Sequence, residues 1–212
     1  MNILVIGANG QVGKQLVERL GHSEHQVRGM IREESQAADL EAFGAETVVA
    51  DLEGDISHAV RGCDAIVFAA GSGAHTGPDK TELVDHLGAI RSIEEAEKQG
   101  VMRFVMLSAL RAKEPEKGPE KLHHYLEAKK KADDRLAASH LDYTIVRPGR
   151  LSNEPGQGTV SASESLEFQP DPITRTDVAE SLAEILDLKN THRKGIDLLP
   201  GTTPIREALK KL

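Results

Sequence analysis

The chain has 212 residues, a net charge of -8, 39% hydrophobic and 28% charged residues, 3% aromatics and no Trp. That balance excludes a disordered chain, and the acidic surface argues against nucleic acid or an anionic membrane as partner. The single cysteine, Cys63, excludes an internal disulfide framework and points to a reducing compartment.

With almost no aromatics, the core must come from Val, Ile, Leu and Ala. The chain opens on an apolar strand, Ile3–Ile6, with no basic leader before it. A glycine-marked turn leads into an amphipathic helix over Gln11–Leu20. Strand Gln26–Ile31, helix Gln36–Phe43 and strand Thr47–Ala50 follow. Cys63, in Arg61-Gly62-Cys63-Asp64, reads as a thiol at the core edge before strand Ala65–Ala69. The apolar run there is far too short to span a bilayer, so the expectation is a cytoplasmic protein. Helix Lys80–Gln99, strand Arg103–Leu107, helix Glu120–Ser139 and strand Tyr143–Val146 come next. Helix Thr176–Leu188 and strand Ile196–Leu199 end the series. Pro119 and Pro204 stand where a first helical residue is expected, and Gly21, Gly44 and Gly100 stand where helices should stop.

Strand and helix alternate through short links, and most strands are continuously apolar. The expected architecture is therefore α/β, a Rossmann-type doubly wound parallel sheet in three α/β/α layers, a single domain over residues 1–212. Leu151–Pro172, rich in Ser, Glu, Gly and Pro, breaks the rhythm. It reads either as a mobile surface excursion or as a substrate-side loop, with a short strand at Thr159–Ser161.

The turn Gly7-Ala8-Asn9-Gly10-Gln11-Val12-Gly13 lies between the first strand and the first helix. A side chain in it would block a pyrophosphate, and one at Gly13 would hold the helix off the sheet. Free N–H groups and the helix dipole then face phosphates, so the segment reads as a dinucleotide-binding turn. The second strand, Gln26–Ile31, is followed by Arg32, whose guanidinium suits the 2′-phosphate of NADP. A shift of one residue would instead put Glu33 on the ribose of NAD, so NADP is favoured and NAD is the alternative. Asp51 can accept the adenine amino group while Leu52 packs on the ring, although a turn Asp is common. Ala69-Ala70-Gly71 closes the fourth strand with residues small enough for a cofactor to lie against. The nine His residues show no metal spacing, and adjacent His123 and His124 point about 100° apart on a helix. His75, in Ser72–Pro78 after the fourth strand, could approach a substrate, but a plain loop residue is the favoured reading.

Together these segments resemble the atypical short-chain dehydrogenases/reductases. Ser108 after an apolar strand, Tyr125-Leu126-Glu127-Ala128-Lys129, Arg147-Pro148-Gly149 and Thr174-Arg175-Thr176-Asp177-Val178-Ala179 add to the likeness. It is nearest to small NAD(P)H-binding proteins often labelled NAD-dependent epimerase/dehydratase, with NmrA-like and flavin-reductase-like proteins as relatives. The resemblance implies a catalytic set of Ser108, Tyr125 and Lys129. Tyr125 would exchange a proton with a substrate oxygen, Ser108 would hydrogen-bond that oxygen, and Lys129 would lower the Tyr pKa and bind the nicotinamide ribose. Pro148 and Gly149 would touch the nicotinamide.

The spacing is compatible, because Tyr125 and Lys129 share a helix face. A free tyrosine titrates at about 10, and bringing it to about 7 takes about 4 kcal/mol. One ammonium at ~4 Å supplies that at an effective dielectric of ~20, but only ~1 kcal/mol in open water. The set therefore needs a shielded site, to which Leu151–Pro172 is expected to contribute. Against it, Lys129-Lys130-Lys131 also reads as a solvated stripe and Tyr125 as packing. Thr174–Asp177 reads as a capping box.

The expected function is an NADP-dependent oxidoreductase acting on a small carbonyl, quinone or flavin. The alternatives are a cofactor-binding sensor of the NmrA-like kind and an NAD-dependent sugar epimerase or dehydratase. The last ranks lowest because such enzymes usually carry a larger C-terminal substrate region. Either a monomer or a homodimer is compatible with the charged helices Lys80–Gln99 and Glu120–Ser139.

Overall fold

Helices cover both faces of the sheet, which is why its central strands β1, β4 and β5 are almost wholly buried. In β1 (Asn2–Ile6), Ile3 and Val5 point into one core and Leu4 and Ile6 into the other. The computed structural model describes residues 1–73 and 76–212, so His75 lies outside the described residues. After β1 come α1 (Gln11–Gly21), β2 (Gln26–Ile31), α2 (Ala37–Glu41), β3 (Glu46–Val49), α3 (Ser57–Val60) and β4 (Ala65–Phe68). Next are α4 (Pro78–Lys80), a π-helical stretch over Thr81–Gly88, α5 (Ala89–Gln99), β5 (Arg103–Leu107), α6 (His123–Ala137) and β6 (Asp142–Pro148). The chain continues through β7 (Leu151–Ser152), β8 (Thr159–Ser163), β9 (Ile173–Thr174), α7 (Arg175–Leu186), β10 (Lys194–Pro200), β11 (Thr203–Pro204) and α8 (Ile205–Lys210).

The main sheet runs β11-β8-β10-β6-β5-β4-β1-β2-β3. It is parallel from β10 to β3, and β8 joins β10 antiparallel. The chain moves outward from β1 to β2 and β3, then crosses back to β4 on the other side of β1. At that reversal the connections leave for opposite faces, and a crevice opens beyond the carboxyl ends of β1 and β4. One face packs Leu16, Val17 and Leu20 of α1 with Leu182 and Ile185 of α7. The other packs Ala59, Ile93, Ala132 and Leu136 against Ile66, Phe68, Phe104 and Met106. At the amino-terminal end of the sheet, Arg103 is buried. It donates to the carbonyls of Asp142 and Ile185, both at 2.7 Å, and burial pulls its guanidinium down to about 10. Among the described residues no helix is long and apolar enough to cross a membrane.

Several expected boundaries move. Lys80–Gln99 is not one α-helix but α4, the π-helical stretch and α5. Gln36–Phe43 shrinks to α2 behind a 3₁₀ turn at Glu34–Gln36. Pro119 and Pro204 each stand one residue before the first helical position. Gly44 and Gly100 do take left-handed φ values of 85° and 73°. Gly21 does not; it is the last residue of α1, and a side chain there would run into the Phe43 carbonyl.

Leu151–Pro172 is more structured than expected. β7 pairs with β9, and β8 forms a full rung against β10. Beyond β8, Lys113 Nζ donates to the Glu164 carbonyl at 2.6 Å and pairs with buried Asp197 at 2.8 Å. The same Asp197 carboxylate accepts the Leu166 N–H at 3.0 Å.

Candidate active site and cofactor cleft

The glycine turn has three different reasons for its three glycines. Gly7 has φ +84°, and a Cβ on it would sit 2.6 Å from Ala70 Cα at the end of β4. It is glycine so that β1 and β4 can close side by side at the reversal. A Cβ on Gly13 would run into the Gly7 carbonyl oxygen, so the obstacle is the turn's own backbone, not the sheet as the sequence suggested. Gly10 is exposed and borders open space, its Cβ position 3.1 Å from Gly7 oxygen and otherwise clear. Gly10 N–H closes the turn by donating to Gly7 oxygen at 2.9 Å. No side chain caps α1, so the first-turn amides of Gln11, Val12 and Gly13 are left for an anion.

Beyond this turn lies a cleft of about 270 Å³. Gly7, Asn9 and Gly10 form one wall, Arg32 and Asp51-Leu52 the far end, and Ala69-Ala70-Gly71 the floor. Arg32 is exposed on the cleft, and its N–H donates to Gln36 Oε1 at 3.0 Å. Glu33 does not line the cleft; its carboxylate accepts the Ser35 hydroxyl at 3.3 Å. Asp51 turns one oxygen to the Glu53 N–H at 2.9 Å. Leu52 is buried against Gly88, where a Cβ would lie 3.0 Å from Leu52 Cβ. Sequence reasoning did not name Gln36, Ser72 or Lys80, which also line the cleft; Lys80 is paired there with Glu53. Their only signal is position, one turn beyond an already recognised segment.

The second group lies behind the floor. Lys129 is buried, and its ammonium donates to the carbonyls of Ala70 and Leu107, both at 3.3 Å. Its third neighbour is Asp85, fully buried in the π-helical stretch, with Oδ1 at 3.2 Å. The other Asp85 oxygen accepts the Ser72 N–H at 2.9 Å. Burial works against the Lys129 charge, yet Asp85 and its neighbours hold the ammonium above its ordinary value. The ammonium lies 5.9 Å from the centre of the Tyr125 ring. Burial pushes the Tyr125 hydroxyl up; Lys129 draws it down, and Asp85 and Asp133 push it back up. The hydroxyl ends above its ordinary value, the opposite of the lowering that the resemblance implied. Among the described residues no hydrogen bond joins Tyr125 to Ser108 or Lys129.

Ser108 follows β5, with its N–H on the Val146 carbonyl at 2.8 Å and its buried Oγ unpartnered. Asp133, one turn beyond Lys129, pairs with Arg147 Nε at 2.8 Å. Burial pushes the Asp133 carboxyl up and Arg147 opposes it. Pro148 and Gly149 do not line the cleft. Gly149 gives room to β10, since its Cβ would sit 2.7 Å from Leu199 Cδ2.

An open Gly10, uncapped amides and a cleft ending on Arg32 fit a dinucleotide. The sequence profile of the NAD(P)H-binding family matches residues 7–189, from this turn to just past α7. The chain belongs to that family. It is 52% identical to the uncharacterized sugar epimerase YhfK of Bacillus subtilis (strain 168), over the full length of both. A solved structure from Bacillus halodurans, provisionally named an NAD-dependent epimerase/dehydratase, superposes with a TM-score of 0.98 at 48% identity and covers 100% of both chains. Sanguinarine reductase of Eschscholzia californica is 26% identical over 99% of this chain and 93% of its own. The fold is that of an atypical short-chain dehydrogenase/reductase, and the family is oxidoreductase- and epimerase-like.

Proposed function

We propose that the protein is an NADP(H)-dependent oxidoreductase that reduces a small carbonyl, quinone or flavin. The observation that carries this reading is Arg32: it follows β2 directly and lines the cleft, while Glu33 turns away to Ser35. A guanidinium there neutralises a 2′-phosphate and discriminates against a bare ribose. Gln11, Val12 and Gly13 hold the pyrophosphate through their amides, and Asp51 and Leu52 hold the adenine. When bound, the cofactor supplies a hydride to the substrate.

The chain's own groups do the rest. The Ser108 hydroxyl holds the substrate oxygen, and Tyr125 delivers a proton to it. Lys129 ties the ends of β4 and β5 to α6 and so fixes Tyr125 relative to the cleft floor. The strap after β8, with Phe168 stacked under Arg111 at 4.2 Å from its ring centre, helps exclude water. Sanguinarine reductase is a relative whose name agrees with reduction, whereas YhfK is named an epimerase.

NADPH oxidation followed by nicotinamide absorbance, across a panel of carbonyl, quinone and flavin acceptors, separates these readings. An epimerase returns its hydride and consumes no NADPH. The expected outcome is turnover with at least one acceptor, reduced about 10²- to 10⁴-fold in Tyr125→Phe. Equal rates in the two proteins would remove Tyr125 as proton donor. Tight NADPH binding with no turnover would favour a sensor.

A further inference from the structure

Among the described residues Phe168 is the most exposed large apolar side chain, at 49%. The strap that carries it is nonetheless fixed to the sheet. Buried Asp197 of β10 accepts the Leu166 N–H at 3.0 Å, two residues before the ring. Lys113, paired with the same carboxylate, donates to the Glu164 carbonyl. A carboxylate set inside the fold is costly unless it is matched. Here it is matched in a way that clamps the strap onto the 3₁₀ turn Leu110–Lys113, just beyond β5. The clamp holds an aromatic ring in the open.

Arg111 lies on that turn, with its guanidinium 4.2 Å from the centre of the Phe168 ring. It covers one face of the ring and leaves about half of the side chain exposed. Among the described residues the Arg111 N–H groups have no acceptor. Glu114 beside the turn pairs with Lys117, and Glu164 of the strap pairs with Lys194. A planar cation seated on an aromatic ring, with its in-plane donors free, is available to an anion from outside.

The stack stands on the reaction side, apart from the cofactor. Neither residue lines the dinucleotide cleft. Ser108, with its unpartnered Oγ, precedes Arg111 by three residues. Gly118 lets the turn close on α6: a Cβ there would strike Leu126, the residue after Tyr125, and would lie 3.8 Å from Arg111 Cβ.

We propose that Arg111 and Phe168 form the acceptor subsite, and that they select a flat aromatic acceptor, of quinone or flavin shape, carrying a carboxylate or phosphate. This rests on the reading of the protein as an oxidoreductase and narrows it, since a small uncharged carbonyl uses neither the ring nor the guanidinium. The acceptor's ring lies offset on the stack, where aromatic surfaces attract beyond the area they bury. Its acidic group takes the free N–H donors of Arg111 as a fork.

FMN and riboflavin share one ring system and differ by a phosphate, which makes them the probe pair. Flavin fluorescence is titrated with protein in saturating oxidised NADP, which fills the dinucleotide cleft and cannot reduce either flavin. The titration thus reads acceptor binding whether or not the NADPH-oxidation panel finds turnover. The parent should bind FMN about tenfold or more tighter than riboflavin, and Arg111→Gln should bring the two within about twofold. Phe168→Leu should weaken both about threefold or more and keep the preference. Neither side chain is part of the core, so both variants should fold as the parent does. Equal affinities in the parent, no binding of FMN, a preference that survives Arg111→Gln, or unchanged affinities in Phe168→Leu would each overturn the proposal.

Discussion

Three glycines in one turn look interchangeable as letters, yet each meets a different obstacle. A methyl on Gly13 collides with rigid backbone, the Gly7 carbonyl. Gly13→Ala should therefore lose about 1–3 kcal/mol of folding stability in urea denaturation. A methyl on Gly10 meets only Gly7 oxygen, at 3.1 Å. Gly10→Ala should stay within about 1 kcal/mol of the parent while weakening NADPH about tenfold in a binding titration. The reverse pattern would misplace the phosphate site. The spacing of these glycines was readable from sequence, as were Arg32 and Asp51, because each sits next to an apolar strand. Asp85 was not. A carboxylate at helical spacing reads as a solvated face, and only the π-helical turn carries it into the interior beside Lys129. The same gap explains Tyr125: sequence places a lysine one turn away but not the carboxylate that offsets it.

Elements with one dominant period were legible, and those with mixed signals were not. β2 and β5 have the bounds expected of them, because each ends on apolar residues, Met30-Ile31 and Val105-Met106-Leu107, closed by a change of composition. The segment from Leu151 to Pro172 lacked such a run, and its strand β8 alternates small polar residues whose partners come from β10. The start of α7 shows how tertiary contacts complete a local motif. Thr174 Oγ1 accepts the Asp177 N–H at 3.0 Å, as a cap should. The Asp177 carboxylate does not return to the Thr174 amide of a full capping box. It accepts the N–H groups of Gln157 and Gly158, at 3.0 and 2.8 Å, and fixes the entry to β8. Thr174→Ala should cost about 1 kcal/mol, whereas Asp177→Ala, which removes charge-assisted hydrogen bonds to two amides of the β8 entry, should cost about 2–3 kcal/mol. Equal losses in a denaturant series would mean that Asp177 serves the helix alone.

Over the whole molecule, the cleft and the function proposed for it follow from one topological event, the reversal at β1. It sends connections to opposite faces, brings Gly7 against Ala70, and leaves a cleft bounded by the carboxyl ends of β1 to β4. The proposed catalytic set stands behind the floor of that cleft, where Lys129 donates to the Ala70 carbonyl and pairs with Asp85. The alternation of strands and helices made this architecture readable from sequence; the contacts between distant segments that tune it were not. The most direct measurement is isothermal titration calorimetry of the parent chain and Arg32→Ala with NADPH and with NADH. The expected result is tight binding of NADPH by the parent, weakened about 10- to 100-fold in Arg32→Ala, with NADH little affected. Equal losses for both nucleotides would remove the 2′-phosphate from Arg32. No heat with either nucleotide would contradict a dinucleotide site at the reversal.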